Sequence, residues 1–241
     1  MRAGLVDIHT HMVPSGDDGV KTIEEAVELC SLAAAKGTTL MYVTPHVNDD
    51  LPLSREREQL VRLNAARLGE LLERERLEVR VGFEVHPTVA NRDHDLGRYR
   101  LDLFDAVLLE CPLESGVEYG VERIFEAAER LEAVGVLPVL AHPERSPAFL
   151  AGPAAAKAAA QRGWQLQVTA ASLFGRYGEA VAALAWSLLE ERHATLVASD
   201  AHRPDRPPFL DDALTALAER FGASRAAALL DGSALTTASV I

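Results

Sequence analysis

Two cysteines in 241 residues, no apolar run long enough to cross a bilayer, and fewer basic than acidic residues: each shortage closes off a class of function. Cys30 and Cys111 are far apart and lack C-x-x-C spacing, which rules out a disulfide framework and suits a reducing compartment. Neither opens a C-x5-R phosphate loop, so the cysteine-dependent route to phosphate ester hydrolysis is excluded. No charged n-region followed by an apolar h-region stands at the start, and the expected location is the cytoplasm, without membrane insertion. With 24 Lys and Arg against 36 Asp and Glu, the net charge of −12 argues against a general partner for nucleic acid or anionic lipid. A phosphate in a metal-lined pocket is still allowed, because bound cations dominate the local field.

What is present fits an ordinary folded enzyme. Hydrophobic residues make up 48% of the chain, enough for a core, and no low-complexity linker divides it. A single domain over residues 1–241 is therefore expected. Seven short apolar runs read as strands, beginning with Leu5 to Ile8 and continuing with Leu40–Val43, Val79–Phe83, Asp105–Leu109, Val136–Ala141, Trp164–Val168 and Thr195–Ser199. Helical stretches alternate with them. Thr22 and Glu25 form a capping box for a helix ending at Gly37, Ser54 to Leu77 carries a charged helical face, and helices are read over Tyr119–Val134, Pro153–Arg162, Glu179–Arg192 and Asp211–Leu230. This alternation is the pattern of parallel β/α units.

Six of the seven strand-like runs end on His, Asp or Glu. His9 and His11 stand two apart in an extended stretch, on one face of the chain. His46, Glu84, Glu110, His142, Asp200 and His202 follow the ends of later runs, and Asp17 and Asp18 lie in the turn after His11. Barrels of β/α units gather catalytic groups from several strand ends on one rim. Imidazoles mixed with carboxylates, and no thiolate, suit a hydrolytic cluster of Mn, Zn or Fe rather than a structural zinc knot. Nine such ligands, with Asp18 counted from the turn, exceed the needs of one ion, so two or three divalent ions are expected, able to clamp a displacement at phosphorus. His86, His94 and His193 fall outside this pattern and read as surface or structural.

The segments Asp7-Ile8-His9-Thr10-His11, Asp17-Asp18-Gly19, Thr44-Pro45-His46, Gly82-Phe83-Glu84, Ala141-His142-Pro143-Glu144-Arg145 and Ser199-Asp200-Ala201-His202 together resemble the polymerase and histidinol phosphatase (PHP) superfamily. Within it, the chain is most similar to the bacterial capsule-type, manganese-dependent protein-tyrosine phosphatases. The resemblance implies an α/β fold, a distorted seven-stranded TIM-like barrel, with three metal ions, Mn before Fe or Zn. It implies that His9, His11 and Asp200 hold one ion and that Glu84 bridges to a second completed by Glu110 and His142. Asp18, His46 and His202 would hold the third, while Arg145 and Arg206 face the phosphate. It further implies attack by a metal-bridging hydroxide on the phosphotyrosine tail of a tyrosine autokinase in capsule or exopolysaccharide synthesis.

Two departures from the family touch the rim of the pocket. Val47-Asn48-Asp49-Asp50 stands where basic residues commonly follow the third histidine, and Thr169-Ala170-Ala171-Ser172 replaces a polar, tyrosine-containing stretch. A small phosphomonoester such as histidinol phosphate is the alternative substrate, and a non-catalytic scaffold or a nuclease the alternative class. Whether Asp17 joins the ligands is left open, as is the oligomeric state.

Overall fold

The computed structural model describes residues 4–116 and 119–236. Nine parallel strands form two sheets flanked by helices. The strands are β1 (Leu5–Thr10), β2 (Thr38–Val43), β3 (His46–Val47), β4 (Glu78–Val81), β5 (Glu84–Val85), β6 (Ala106–Glu110), β7 (Leu137–Ala141), β8 (Gln165–Thr169) and β9 (Leu196–Ala198). One sheet runs β1-β2-β4 and the other β3-β5-β6-β7-β8-β9. Nine strands stand where seven were expected because two runs are broken, each next to a metal-ligand candidate.

The first break is Thr44-Pro45. Proline offers no N–H to a ladder, and Thr44 N bonds Thr10 O at 2.7 Å while Thr10 N bonds the Thr44 hydroxyl at 3.1 Å. The chain resumes at His46, which pairs with Glu84 across β3 and β5. The second break is Gly82-Phe83, where Gly82 N bonds Val43 O at 3.0 Å. Gly82 lies against Leu101 so closely that an added Cβ would overlap that buried side chain. Both breaks shift the backbone from the first sheet to the second, and both set a ligand candidate at the start of the new strand.

The strands' two faces feed two cores, as period-two alternation requires. Leu109, Leu140, Leu166 and Val197 join the larger cluster under the helices. Ile8, Tyr42, Leu108, Val139 and Leu196 meet one another on the other face, closed by Leu101 and Leu235. The helices cover the larger core with narrow apolar stripes: α1 (Ile23–Ala35), α2 (Arg55–Leu71) and, after the short α3 (Pro87–Ala90), α4 (Val121–Ala133), which buries Ile124, Ala127, Ala128 and Leu131 at i, i+3, i+4 and i+7. The helical series continues through α5 (Pro147–Ala151), α6 (Ala154–Gln161), α7 (Glu179–Glu190), α8 (Asp211–Phe221) and α9 (Ala223–Ala228). α1 is capped at Thr22, whose hydroxyl accepts from Glu25 N, while Glu25 accepts from Lys21 N rather than from Thr22 N. α2 ends at Leu71, before the expected Leu77, and α3 and α5 occupy stretches that carry no clear helical period.

The first and last strands meet only at their outgoing ends. Thr10 and Ala201 form a parallel bridge, Asp200 N bonds His9 O at 3.0 Å, and His11 N bonds Ala201 O at 2.7 Å. At the incoming ends Val6 N and Val197 N turn instead to the carbonyls of Leu230 and Leu229. The segment after α9 is thus wedged between β1 and β9. No helix among the described residues is long and apolar enough to cross a membrane.

Gly82→Ala tests the second break. The substitution forces a methyl group into Leu101 and is expected to cost about 1–3 kcal/mol, read as a lower urea midpoint with the slope unchanged. A midpoint equal to the wild type's would show that Leu101 yields without cost.

Candidate metal centre

The outgoing strand ends bring all nine candidate ligands into one network. β1 presents His9 and His11, both fully buried. β3 and β5 present His46 and Glu84 as register partners. Glu110 ends β6 opposite Ala141, so His142 emerges next to it on β7. Asp200 and His202 follow β9, and the turn after β1 returns Asp18 to His46 and His202, 3.5 and 3.3 Å away. That turn runs tight against β1, since a Cβ on Gly19 would collide with the His11 backbone.

Glu84 occupies the centre. Its Oε1 lies 2.8 Å from His142 Nε2. Its Oε2 lies 3.0 Å from His46 Nδ1, 3.2 Å from His9 Nε2 and 3.4 Å from His11 Nε2, yet accepts no hydrogen bond. His9 Nε2 and His11 Nε2 are themselves 3.4 Å apart. An unbonded buried carboxylate oxygen among converging imidazole nitrogens is costly without a cation. Three triads or tetrads of donor atoms lie within 4.8 Å of one another: His11, Asp18, His46 and His202; His9, His11 and Glu84; and His46, Glu84 and Glu110. The nitrogen and oxygen donor set fits divalent Mn, Fe or Zn.

The partners behind the imidazoles fix which nitrogen faces inward. His9 Nδ1 donates to Gln167 Oε1 at 2.8 Å, His11 Nδ1 to Asp17 Oδ2 at 2.9 Å, and His202 Nδ1 to the Asp200 carbonyl at 3.0 Å. When the ring is neutral, Nε2 then carries the lone pair and faces the centre. Asp17 also accepts from His46 N and Gly19 N, so it braces the loop and His11 from behind. His142 and Asp200 both sit in the left-handed backbone region, at φ 39° and 52°. Such strain in side-chain-bearing residues persists where surrounding structure holds it and concentrates at functional sites.

The charges follow from this crowding. Burial opposes charge on His9 and His46, but Glu84 overrides it and holds them up at about 9 and about 10. Burial also works against charge on Glu84 and Asp200, but the facing histidines, with the two arginines at Asp200, hold both well below the ordinary carboxylate range. Glu110 goes the other way, pushed up to about 8 by burial and the Glu84 charge. Burial and the neighbouring His11 press His202 down to about 4.

Arg145 and Arg206 reach the same place. Both guanidiniums pair with Asp200 Oδ2, Arg206 at 2.6 Å, while Asp200 Oδ1 stays 3.4 Å from His9 Nε2. Arg145 is stacked over the Tyr177 ring, 4.1 Å from its centroid. A cavity of about 340 Å³ opens above the cluster and includes both arginines. Gln167 and Tyr177 are not singled out by the sequence, since each acts on a ligand or arginine far away in the chain, whereas Asp17, whose part the sequence leaves open, stands behind His11. His86, expected to be structural or at the surface, is mostly buried and lines this cavity. The Thr169–Ser172 stretch brings no ligand but fastens Glu144: Thr169 N and Ser172 Oγ donate to its Oε1 at 2.9 and 2.7 Å.

These features define a candidate metal centre with two arginines on its flank. The family model for capsular polysaccharide synthesis proteins CpsB/CapC matches residues 5–236, and the chain belongs to that family. It is 29% identical to tyrosine-protein phosphatase YwqE of Bacillus subtilis over 229 residues, covering 90% of this chain and 85% of that protein. It is 26% identical to tyrosine-protein phosphatase CpsB of Streptococcus agalactiae over 240 residues, covering 92% and 93%. A chain from the crystal structures of YwqE from Bacillus subtilis and CpsB from Streptococcus pneumoniae, described as unique metal-dependent tyrosine phosphatases, superposes with a TM-score of 0.78 at 27% identity over 94% of both chains. A phosphotriesterase homology protein from Escherichia coli shares the fold alone, at TM-score 0.57 and 11% identity.

Glu144 provides a test of the loop that carries His142 and Arg145. Burial pushes its carboxyl up to about 7, so the folded state favours the protonated form. The sign follows: its contribution is fully present below the ordinary value of 4.5 and is lost as pH rises through about 7. Glu144→Gln keeps the acceptor Oε1 and replaces Oε2, which has no partner, by an amide. In metal-free protein the melting temperature of the variant relative to wild type is expected to rise between about pH 5 and pH 8. A difference that stays flat with pH would refute the assignment.

Proposed function

We propose that this chain is a divalent-metal-dependent phosphomonoesterase that hydrolyses phosphotyrosine in protein, with a tyrosine autokinase of capsule or exopolysaccharide synthesis as its substrate. The observation that carries the reading is Glu84: a fully buried carboxylate whose Oε2 has no hydrogen bond although three imidazole nitrogens stand within 3.4 Å. The family and the named activity of its relatives support the same chemistry. In this reading the two sheets work as one distorted seven-stranded barrel, residues 1–241 act as one cytoplasmic catalytic unit, and manganese is the preferred metal. His9, His11, Asp18, His46, Glu84, Glu110, His142, Asp200 and His202 are the ligands, and Asp17 positions His11 and is not itself a ligand.

When bound, divalent cations supply activated water and positive charge for displacement at phosphorus. The chain's own residues do the rest. Arg145 and Arg206 leave Asp200 in part to take the phosphate oxygens, for which the planar guanidinium is suited. Their positive charge offsets the negative charge that develops on those oxygens in the transition state. Tyr177 holds the Arg145 plane, and Gln167 and Asp17 keep the His9 and His11 rings in the inward tautomer.

The test is phosphate release from a phosphotyrosine peptide, p-nitrophenyl phosphate and histidinol phosphate, with manganese added. Wild type is expected to cleave the peptide, and chelation to stop it. His142→Ala, checked for folding by circular dichroism, should lower kcat by roughly 100-fold or more. Cleavage of histidinol phosphate alone would keep the chemistry and replace the substrate. Absence of metal-dependent turnover on all three would overturn the phosphatase reading in favour of a scaffold.

A further inference from the structure

The cavity above the cluster is polar on most sides. Asp18, Asp200, Arg145 and Arg206 face it from one flank, and Asn48 and Asp50 from another. Among the described residues, one stretch of wall presents rings and an aliphatic side chain together. His86 and Tyr119 stand edge to face there, with centroids 5.8 Å apart and planes at 80°. Leu113, 45% exposed, lies on the same lining.

The backbone explains how His86 comes to face the cavity. It is the second residue after Glu84 along an extended segment, and His86 N continues the ladder by bonding Val47 O at 2.9 Å. Side chains two apart in such a segment share a face, so His86 points the way Glu84 points, one step nearer the mouth. Its ring is held from behind. His86 caps α3, its Nδ1 accepting from Thr88 N at 3.2 Å, and the Thr88 hydroxyl is tied to Asp49 Oδ2 at 3.1 Å. Tyr119 arrives from the other side, just ahead of α4, and its ring completes the corner.

We infer that His86 and Tyr119, with Leu113 at the lip, form a corner that receives the aromatic ring of an aryl phosphate and makes the site prefer aryl over alkyl phosphomonoesters. This rests on the phosphatase reading and adds the residues that select its substrate. Two rings at right angles can stack one face of a third ring and meet its edge, the arrangements aromatic groups favour. Arg145 and Arg206 line the same cavity and take the phosphate, so the ring of an aryl phosphate is left to meet the corner. An alkyl phosphate places no ring in the corner and gains nothing from it. His86 and Tyr119 act by holding the leaving group and are specificity residues, not ligands.

The measurement is the ratio of kcat/KM for a phosphotyrosine peptide to that for the same peptide bearing phosphoserine, in manganese-loaded enzyme. Tyr119→Ala and His86→Ala are each expected to lower this ratio, by up to about tenfold, through a higher KM for the phosphotyrosine peptide. Tyr119→Phe and His86→Phe, which keep a ring, should restore it. A second readout needs no turnover: phenylphosphonate should bind wild type more tightly than methylphosphonate by calorimetry, and Tyr119→Ala should erase the difference. A ratio and a phosphonate preference equal to wild type's in both alanine variants would overturn the corner while leaving the phosphatase intact. Wild-type protein that cleaves neither peptide would overturn both together.

Discussion

Glu84 sets the terms for everything around it. A carboxylate with no solvent exposure, ringed by His9, His11, His46 and His142 within 3.4 Å, is a place where charge must be balanced by geometry. It is also where the two strand breaks converge: Thr44-Pro45 steps the backbone across to His46, Gly82-Phe83 steps it to Glu84, and the two residues then pair. An unbroken pair of strands would carry these side chains onward in the first sheet. The breaks are therefore the means by which a buried acid meets ligands from β1 and β7 and from the turn after β9.

The second tier of residues gives the centre its direction. Gln167, Asp17 and the Asp200 carbonyl each accept a hydrogen bond from the outer nitrogen of an imidazole, leaving the inner one to face the cluster. Asp200 divides its two oxygens between histidine and arginine, so the histidine cluster and the arginine pair share one carboxylate. That sharing couples the two: whatever draws the arginines away from Oδ2 changes the charge felt by His9.

Much of this could be read in the sequence because it depends on local pattern. Two histidines at i and i+2, acids and imidazoles at the ends of apolar runs, and the β/α alternation need only the periodicity of strand and helix. The chain order of helices and strands follows from the same pattern, while the family is read from the resemblance carried by the motif segments. Other features are set by contacts between distant segments, which a linear reading does not contain. The break at Gly82 depends on the proximity of Leu101, and the roles of Gln167 and Tyr177 depend on neighbours in other β/α units. Glu144 was visible as part of a motif, but its partners Thr169 and Ser172 lie beyond the next helices. His86 could have been placed by its spacing from Glu84, since the same two-residue step that marks His9 and His11 applies to it. Tyr119, which gives that position a purpose, could not.

The meeting of β1 with the segment after β9 also has a bearing on how the molecule is made. His9 and Asp200 lie at opposite ends of the described chain, and they come together only through the Thr10–Ala201 bridge and the two hydrogen bonds beside it. A ribosome-bound chain that has emerged only as far as β8 already carries seven of the nine candidate ligands and can pair β1 with β2, but it has neither Asp200 nor His202 and no bridge across the outgoing ends. Assembly of the candidate metal centre thus waits on the last stage of biosynthesis, when the segment after β9 docks against β1.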